Sequence, residues 1–255
     1  MGVHYPRWMT GGKPRLLWQA RGILTPAPCK RKVTDDIGMT LQCAIVPVTP
    51  YQQNCSIIKC TNTGKAAVVD PGGEVERILG TLNKMGATAE KVMLTHAHVD
   101  HCAAADVLRS QLHIPIEGPH RDDAFWLEKL PDWCRMSGFP PAEPFTPDRW
   151  LVDGDTVTVG ELAFDVLHCP GHTPGHVVFY HAEKQLAWVG DVLFKGSVGR
   201  TDFPKGNQKD LICSIRDKLF RLGDEITFVP GHGPTSTFGH ERRTNPFAGD
   251  AAQGR

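Results

Sequence analysis

No run of this 255-residue chain comes near the roughly 20 consecutive apolar residues that span a bilayer. It also lacks an excess of either charge, with 28 Lys and Arg against 28 Asp and Glu. That balance argues against nucleic acid or an anionic membrane as its main partner. Its eight cysteines, at positions 29, 43, 55, 60, 102, 134, 169 and 213, include no C-x-x-C pair. A zinc ribbon or a disulfide framework is therefore not expected. Cysteines set among apolar residues, as in "IKC" and "LHC", read as small buried hydrophobes in a reducing compartment. The first 38 residues contain no apolar core of a secretory signal, so the expected location is cytoplasmic.

What is present is an ordinary globular composition, 40% hydrophobic and 22% charged, with ample length for a sizeable core. Residues 1–38 stand apart, rich in glycine, proline and basic side chains with no acid before Asp35. They are expected to form an N-terminal extension, either a flexible tail or an over-called start with Met39 as the true beginning. A transit peptide is the sharper alternative, but Pro6, Pro14, Pro26 and Pro28 would interrupt its amphipathic helix.

From Leu41 the pattern is regular. "LQCAIVPV", "NCSIIKC", "AAVVD" and "KVMLT" predict strands, and Val75, Ile78, Leu79 and Leu82 share one face of a helix ending near Gly86. "DHCAAADVLRSQLH" predicts a helix, "IPIEGP" a strand and "HRDDAFWLEKL" a helix, followed by an irregular proline-rich stretch over 131–147. The second half repeats this grammar. "DTVTVG", "LAFDVLHC", "HVVFYHA", "QLAWVGD" and "EITFVPG" predict strands and "QKDLICSIRDKLFRL" a helix. Strand groups with interposed helices in both halves predict two packed sheets with helices outside, an α/β layered sandwich.

The chemistry concentrates where apolar strands end. "THAHVDH" follows Val92-Met93-Leu94 and holds His96, His98, Asp100 and His101. His172 follows a Pro-Gly turn in "GHTPGH", Asp191 ends "WVGD", and His232 lies in "PGHG". Five imidazoles and two carboxylates can build two metal sites that share a bridge. His96 and His98, in alternating positions, reach one metal from the same side of an extended segment. Asp100 and His101 aim at a second as the chain turns into its helix, and Asp191 can bridge. Mixed nitrogen and oxygen donors without cysteine suit zinc, iron(II) and manganese. H-x-H alone is a weak signal; H-x-H-x-D-H joined in order to G-H-T-P-G-H, G-D and P-G-H-G is a strong one. The remaining histidines, His4, His113, His120, His181 and His240, read as surface or structural. His168 and His176 lie beside the site and are candidates for supporting hydrogen bonds. Asp70 reads as a turn or capping residue.

The ordered donor set resembles the metallo-β-lactamase superfamily. The segments "VTPYQQNC", "VDPGG", "GDVLFKGSVGRTDFPKG" and "ERRTNPF" are more narrowly similar to short bacterial type II glyoxalases, the hydroxyacylglutathione hydrolases. The resemblance implies a four-layer αββα sandwich over residues 39–255 with a binuclear centre. By motif, His96, His98 and His172 hold one metal, Asp100, His101 and His232 the other, and Asp191 bridges. The implied cofactors are two divalent ions, zinc first, with iron or manganese as alternatives.

The implied reaction is hydrolysis of an S-acyl thiol such as S-lactoylglutathione by a metal-bound hydroxide, giving a hydroxy acid and the free thiol. Asp100 is the candidate catalytic residue, orienting the hydroxide without covalent chemistry. Arg200 occupies the place where the family contacts glutathione. Phe203 stands for a neighbouring tyrosine of the family, keeping the ring and losing the hydroxyl. Only 22 residues follow Gly233, where longer glyoxalases carry a helical glutathione-binding domain, so a loose grip on glutathione is expected. The alternatives are a persulfide dioxygenase with a single iron, which shares "GRTDF", and a lactonase. A true β-lactamase is disfavoured because Asp191 stands where many of those enzymes use cysteine.

A chain starting at Met39 should keep its metal content and its thermal midpoint, because strand patterning begins only at Leu41. A large fall in that midpoint would show that the extension stabilises the domain.

Overall fold

The structure is a computed structural model that describes residues 41–254. The expected extension over 1–38 lies outside the described residues. The first half forms a five-stranded sheet in sequential order: β1 (Leu41–Val48), β2 (Gln53–Cys60), β3 (Lys65–Val69), β4 (Thr88–Met93) and β5 (Ile116–Glu117). The first three strands pair antiparallel, whereas β3–β4 and β4–β5 are parallel. Parallel neighbours need crossovers. The first is α1 (Val75–Met85). The second combines α2 (Val99–Cys102) and α3 (Ala105–Leu112).

The second half supplies β6 (Thr156–Val159), β7 (Leu162–His168), β8 (Val177–His181), β9 (Leu186–Gly190), the small hairpin β10 (Leu193–Phe194) and β11 (Ser197–Val198), β12 (Thr227–Pro230) and β13 (Ser236–Thr237). Its six-stranded sheet runs β13-β12-β9-β8-β7-β6, with β12 parallel to β9. Between the halves lie α4 (Ala124–Glu128) and α5 (Leu130–Ser137). The crossover from β9 to β12 carries α6 (Gln208–Cys213), a π-helical stretch Ser214–Leu219 and α7 (Phe220–Leu222), and α8 (Phe238–Thr244) follows β13.

Three buried clusters define the layers. Period-two alternation sends Ile57 and Val68 outward to meet Ile78, Leu82 and Leu108 of the helices. It sends Ile58, Ala67 and Val69 inward against Phe164, Phe179 and Trp188 of the second sheet. The other faces of those strands, Val178, Ala187 and Val189, pack on Leu211, Ile215 and Phe238. Helix, sheet, sheet and helix are the four layers of the expected αββα sandwich.

The departures from the sequence pattern have local causes. The helix expected after the histidine cluster is broken between Cys102 and Ala105, because the Ala104 N–H donates to the Pro71 carbonyl (3.0 Å) instead of continuing the ladder. The helix from Gln208 to Leu222 relaxes into π geometry in its middle. Two-residue strands such as β10, β11 and β13 are too short to carry an alternation signal. The "ERRTNPF" segment works as a clamp. Glu241 is fully buried and accepts from the Gly196 N–H (2.8 Å), the Ser236 hydroxyl (2.5 Å) and Asn245 Nδ2 (3.0 Å). Asn245 Nδ2 also donates to the Ser197 carbonyl (3.0 Å), so both side chains hold the β10–β11 turn.

Removing that acceptor leaves three donors inside the fold. Glu241→Ala is expected to lower the free energy of unfolding by about 3 kcal/mol in urea titrations. A change below about 0.5 kcal/mol, the usual range for inert surface positions, would show that the clamp contributes nothing.

Candidate metal centre

All seven expected ligands come together at one end of the sandwich, from both sheets. Residues 95–98 leave β4 in an extended path, with His98 at φ −71° and ψ 149°, before the helical turn of α2 presents Asp100 and His101. His172 follows β7, Asp191 follows β9 and His232 follows β12. The donor atoms form two groups within 4.8 Å: His96 with His98 and His172, and Asp100 with His101 and His232. Asp191 lies between them, with Oδ1 3.4 Å from His101 Nε2 and Oδ2 3.6 Å from His172 Nε2 and 3.7 Å from His232 Nε2. Asp100 Oδ2 is 3.1 Å from His232 Nε2.

Four of the five rings, all but His98, are oriented through their other nitrogen, His96 Nδ1 by the Thr95 hydroxyl (3.1 Å). His172 Nδ1 donates to the Arg200 carbonyl (2.7 Å) and His232 Nδ1 to the Tyr51 carbonyl (3.2 Å). His101 Nδ1 donates to Asp70 Oδ2 (3.0 Å). Carbonyls and carboxylates behind imidazoles fix the tautomer and turn a lone pair toward the centre. Three inward atoms have no hydrogen-bond partner although buried, His96 Nε2, His101 Nε2 and Asp191 Oδ1, and His98 faces the same centre through Nδ1, 2.9 Å from His172 Nε2. Acceptors that converge without donors suit divalent cations, and both the donor types and their grouping fit two of them.

The electrostatics follow the same division. Burial, reinforced by the surrounding imidazoles, holds His96 and His98 well below the usual histidine range. Burial lowers His172 as well. Such rings are neutral and available as ligands near pH 7. Burial also opposes charge on His101 and His232, yet Asp191 and Asp100 beside them raise both. Burial would raise Asp191, but the His101, His172 and His232 imidazoles hold it well below the ordinary carboxylate range. This half of the centre favours positive charge between its carboxylates and rings.

Some supporting residues were not legible as such. Asp70 was expected at a turn or cap. Instead its carboxylate accepts from the Thr95 N–H (2.7 Å), the Thr95 hydroxyl (2.6 Å) and His101, while the N-cap of α1 is Glu74, with no side-chain cap bond. The αL backbone of Asp70 (φ 51°) and the following glycines let this loop pass under the ligand segment; a Cβ on Gly72 would overlap the Asp100 carbonyl. Asn54 pins the His232 loop through Pro230 O (3.0 Å) and Gly233 O (2.8 Å). Asp123 accepts from Ala97 N (3.0 Å), Thr173 Oγ1 (2.8 Å) and Gly175 N (2.6 Å), joining the first ligand loop to the loop that carries His172. Burial pushes its carboxyl up to about 7, against those three donors.

His176 supports the site as anticipated: it stacks on His96 (4.6 Å, 18°), and its Nε2 accepts from the Asp191 N–H (3.0 Å). His168 does not reach the ligands; its Nε2 donates to the Pro174 carbonyl (2.8 Å). At the rim, the Phe203 ring lies 4.7 Å from His98 and 5.8 Å from His172. The exposed Arg200 guanidinium sits 4.6 Å over Phe203 and pairs with Asp202 (2.6 and 2.9 Å).

Such a sandwich, with ligands gathered on the loops of both sheets, defines a metallohydrolase class. Residues 48–241 match the metallo-β-lactamase superfamily model, and the chain belongs to that superfamily. Among characterised relatives, it is 44% identical over 204 residues to hydroxyacylglutathione hydrolase GloC of Haemophilus influenzae, covering 80% of this chain and 96% of that protein. The solved structure of TTHA1623 in a di-iron-bound form is 38% identical with a TM-score of 0.73, covering 80% of this chain and 99% of that one. BLEG-1 B3 metallo-β-lactamase is 34% identical with a TM-score of 0.75, covering 81% and 99%.

Asp70→Ala should weaken metal affinity about 10- to 100-fold, because His101 loses the carboxylate that orients it. Competition with a chromophoric chelator reads the change, and circular dichroism verifies the fold. Unaltered affinity would remove Asp70 from the support of the centre.

Proposed function

We propose that this chain is a binuclear thioester hydrolase acting on S-acyl thiols such as S-lactoylglutathione, with release of a hydroxy acid and the free thiol. The observation that carries the reading is the pair of ligand triads meeting at Asp191. The relative named hydroxyacylglutathione hydrolase supports the choice of substrate. When bound, two divalent ions lower the pKa of a coordinated water toward about 7 and polarise a carbonyl oxygen. Zinc is the ion we assign, and iron or manganese suits the same donors.

The chain's own residues do the rest. His96, His98 and His172 would hold one ion through neutral nitrogens; Asp100, His101 and His232 would hold the other, and Asp191 would serve both. Asp100, less buried than His101, orients the attacking water by accepting a hydrogen bond. No strong general acid is needed, since a thiolate is a good leaving group. Phe203 walls the approach beside His98 and His172. Arg200, on the rim above that ring, faces the carboxylates of the thiol carrier after exchanging its bond with Asp202.

Purified protein replete with metal should hold close to two ions per chain, and Asp191→Ala should lose metal and turnover together. Hydrogen bonds to charged groups contribute about 1.5–3 kcal/mol, and Asp202 already engages Arg200, so Arg200→Ala should raise KM for glutathione thioesters about tenfold. Thioesters on carriers without carboxylates should change little. Sulfite production from glutathione persulfide with one iron per chain and no thioester turnover would overturn the reading.

A further inference from the structure

A third group of potential ligands lies outside the catalytic set. Donor atoms of His120, Asp122 and His168 fall within 4.8 Å of one another. His120 precedes the turn Arg121–Asp123, and His168 ends β7 just before the loop that carries His172. The two imidazoles lie nearly parallel, 22° apart with centroids 4.2 Å apart.

Three features go beyond proximity. First, His120 Nδ1 is 3.4 Å from Asp122 Oδ2. Two ligands bound at about 2.0–2.1 Å to one tetrahedral ion are separated by roughly 3.4 Å, so this pair already has the required spacing. Second, His168 Nε2 donates to the Pro174 carbonyl (2.8 Å), leaving Nδ1 as the lone-pair nitrogen. A ligating histidine held by its other nitrogen on a carbonyl is the arrangement seen at His172 and His232. Third, burial, with the neighbouring His120 and Lys218, lowers the His168 pKa, so the ring is neutral near pH 7.

We propose that His120, Asp122 and His168 form a third divalent transition-metal site, separate from the catalytic pair. Two imidazoles and one carboxylate select zinc, nickel or copper over magnesium or calcium. The stacked rings aim their lone pairs along near-parallel planes, so binding an ion requires the His120 ring to turn out of the stack while the exposed Asp122 side chain closes the remaining separation. In doing so His120 Nδ1 gives up the weak bond it accepts from the Asp122 N–H (3.2 Å). The Lys218 ammonium, 2.6 Å from the His168 carbonyl, keeps affinity below that of the catalytic pair.

The location gives the site a consequence. The His120 N–H donates to the Gly175 carbonyl (3.0 Å), and Gly175 N–H donates to Asp123, the residue after Asp122. An ion here ties the Arg121–Asp123 turn to the end of β7 and braces the base of the His172 loop. Its effect is on stability, with no part in the chemistry.

The test uses the full chain with both catalytic ions bound. Equilibrium dialysis against zinc buffers, read by elemental analysis, should show a third ion at higher free zinc, with a rise in thermal midpoint. His120→Ala should weaken that ion at least tenfold and abolish the rise, while two ions and thioester turnover stay. Asp122→Asn, on an exposed side chain, should weaken it in the same direction and keeps the test valid if His120→Ala does not fold. Wild-type saturation at two ions, or a third ion unaffected by both substitutions, would overturn the proposal.

Discussion

Everything at this end of the molecule depends on burying a cluster of hydrogen-bond acceptors that face one another. Five imidazole nitrogens and two carboxylates meet where His96, His101 and His172 are almost entirely inaccessible. Desolvated acceptors with no donors are costly unless positive charge lies between them. The surrounding structure prepares for that by holding four of the five rings from behind. The Arg200 and Tyr51 carbonyls, Asp70 and Thr95 occupy the outward nitrogens, so the inward lone pairs have a fixed direction.

The centre is also the joint between the two halves. One sheet contributes residues 95–101 and the other contributes His172, Asp191 and His232. Loops alone would not hold such a constellation to the tolerance that metal binding needs. Side chains fasten them: buried Asp123 ties Ala97 to Gly175, half-buried Asn54 ties β2 to the loop after β12, and the buried His176 ring supports the Asp191 backbone. Close approach is part of the same design. A Cβ on Gly231 would overlap Asp191 Oδ1, so the backbone itself forms a wall of the centre.

The rim differs from the centre in kind. Phe203 and Trp126 set aromatic faces and edges against His98, while Arg200 and Lys205 lie over aromatic rings nearer the solvent. Hydrocarbon walls strengthen electrostatic interactions inside by keeping water out. The two cations at the edge stand apart from the buried donor set.

The candidate ligands were legible because their chemical types are rare together and their spacing follows strand ends; H-x-H-x-D-H needs only an extended segment running into a helical turn. The layers were legible because each buried strand alternates between two apolar faces. Short pieces such as β10, β11 and β13 were not, since two residues carry no period. From the sequence Asp70 reads as a turn residue, Asp123 as part of a helix and Asn54 as the start of a strand, for their own neighbourhoods hold no sign of the loops they fasten. His120 and His168 lie 48 positions apart, and nothing local joins them. The sequence by itself determined the donor set, its order and the alternation that builds two sheets. Which side chains stand behind each ligand, and which distant ones meet, was decided only by packing. Those contacts join residues far apart in the chain, and only the folded sheets bring them within hydrogen-bonding reach.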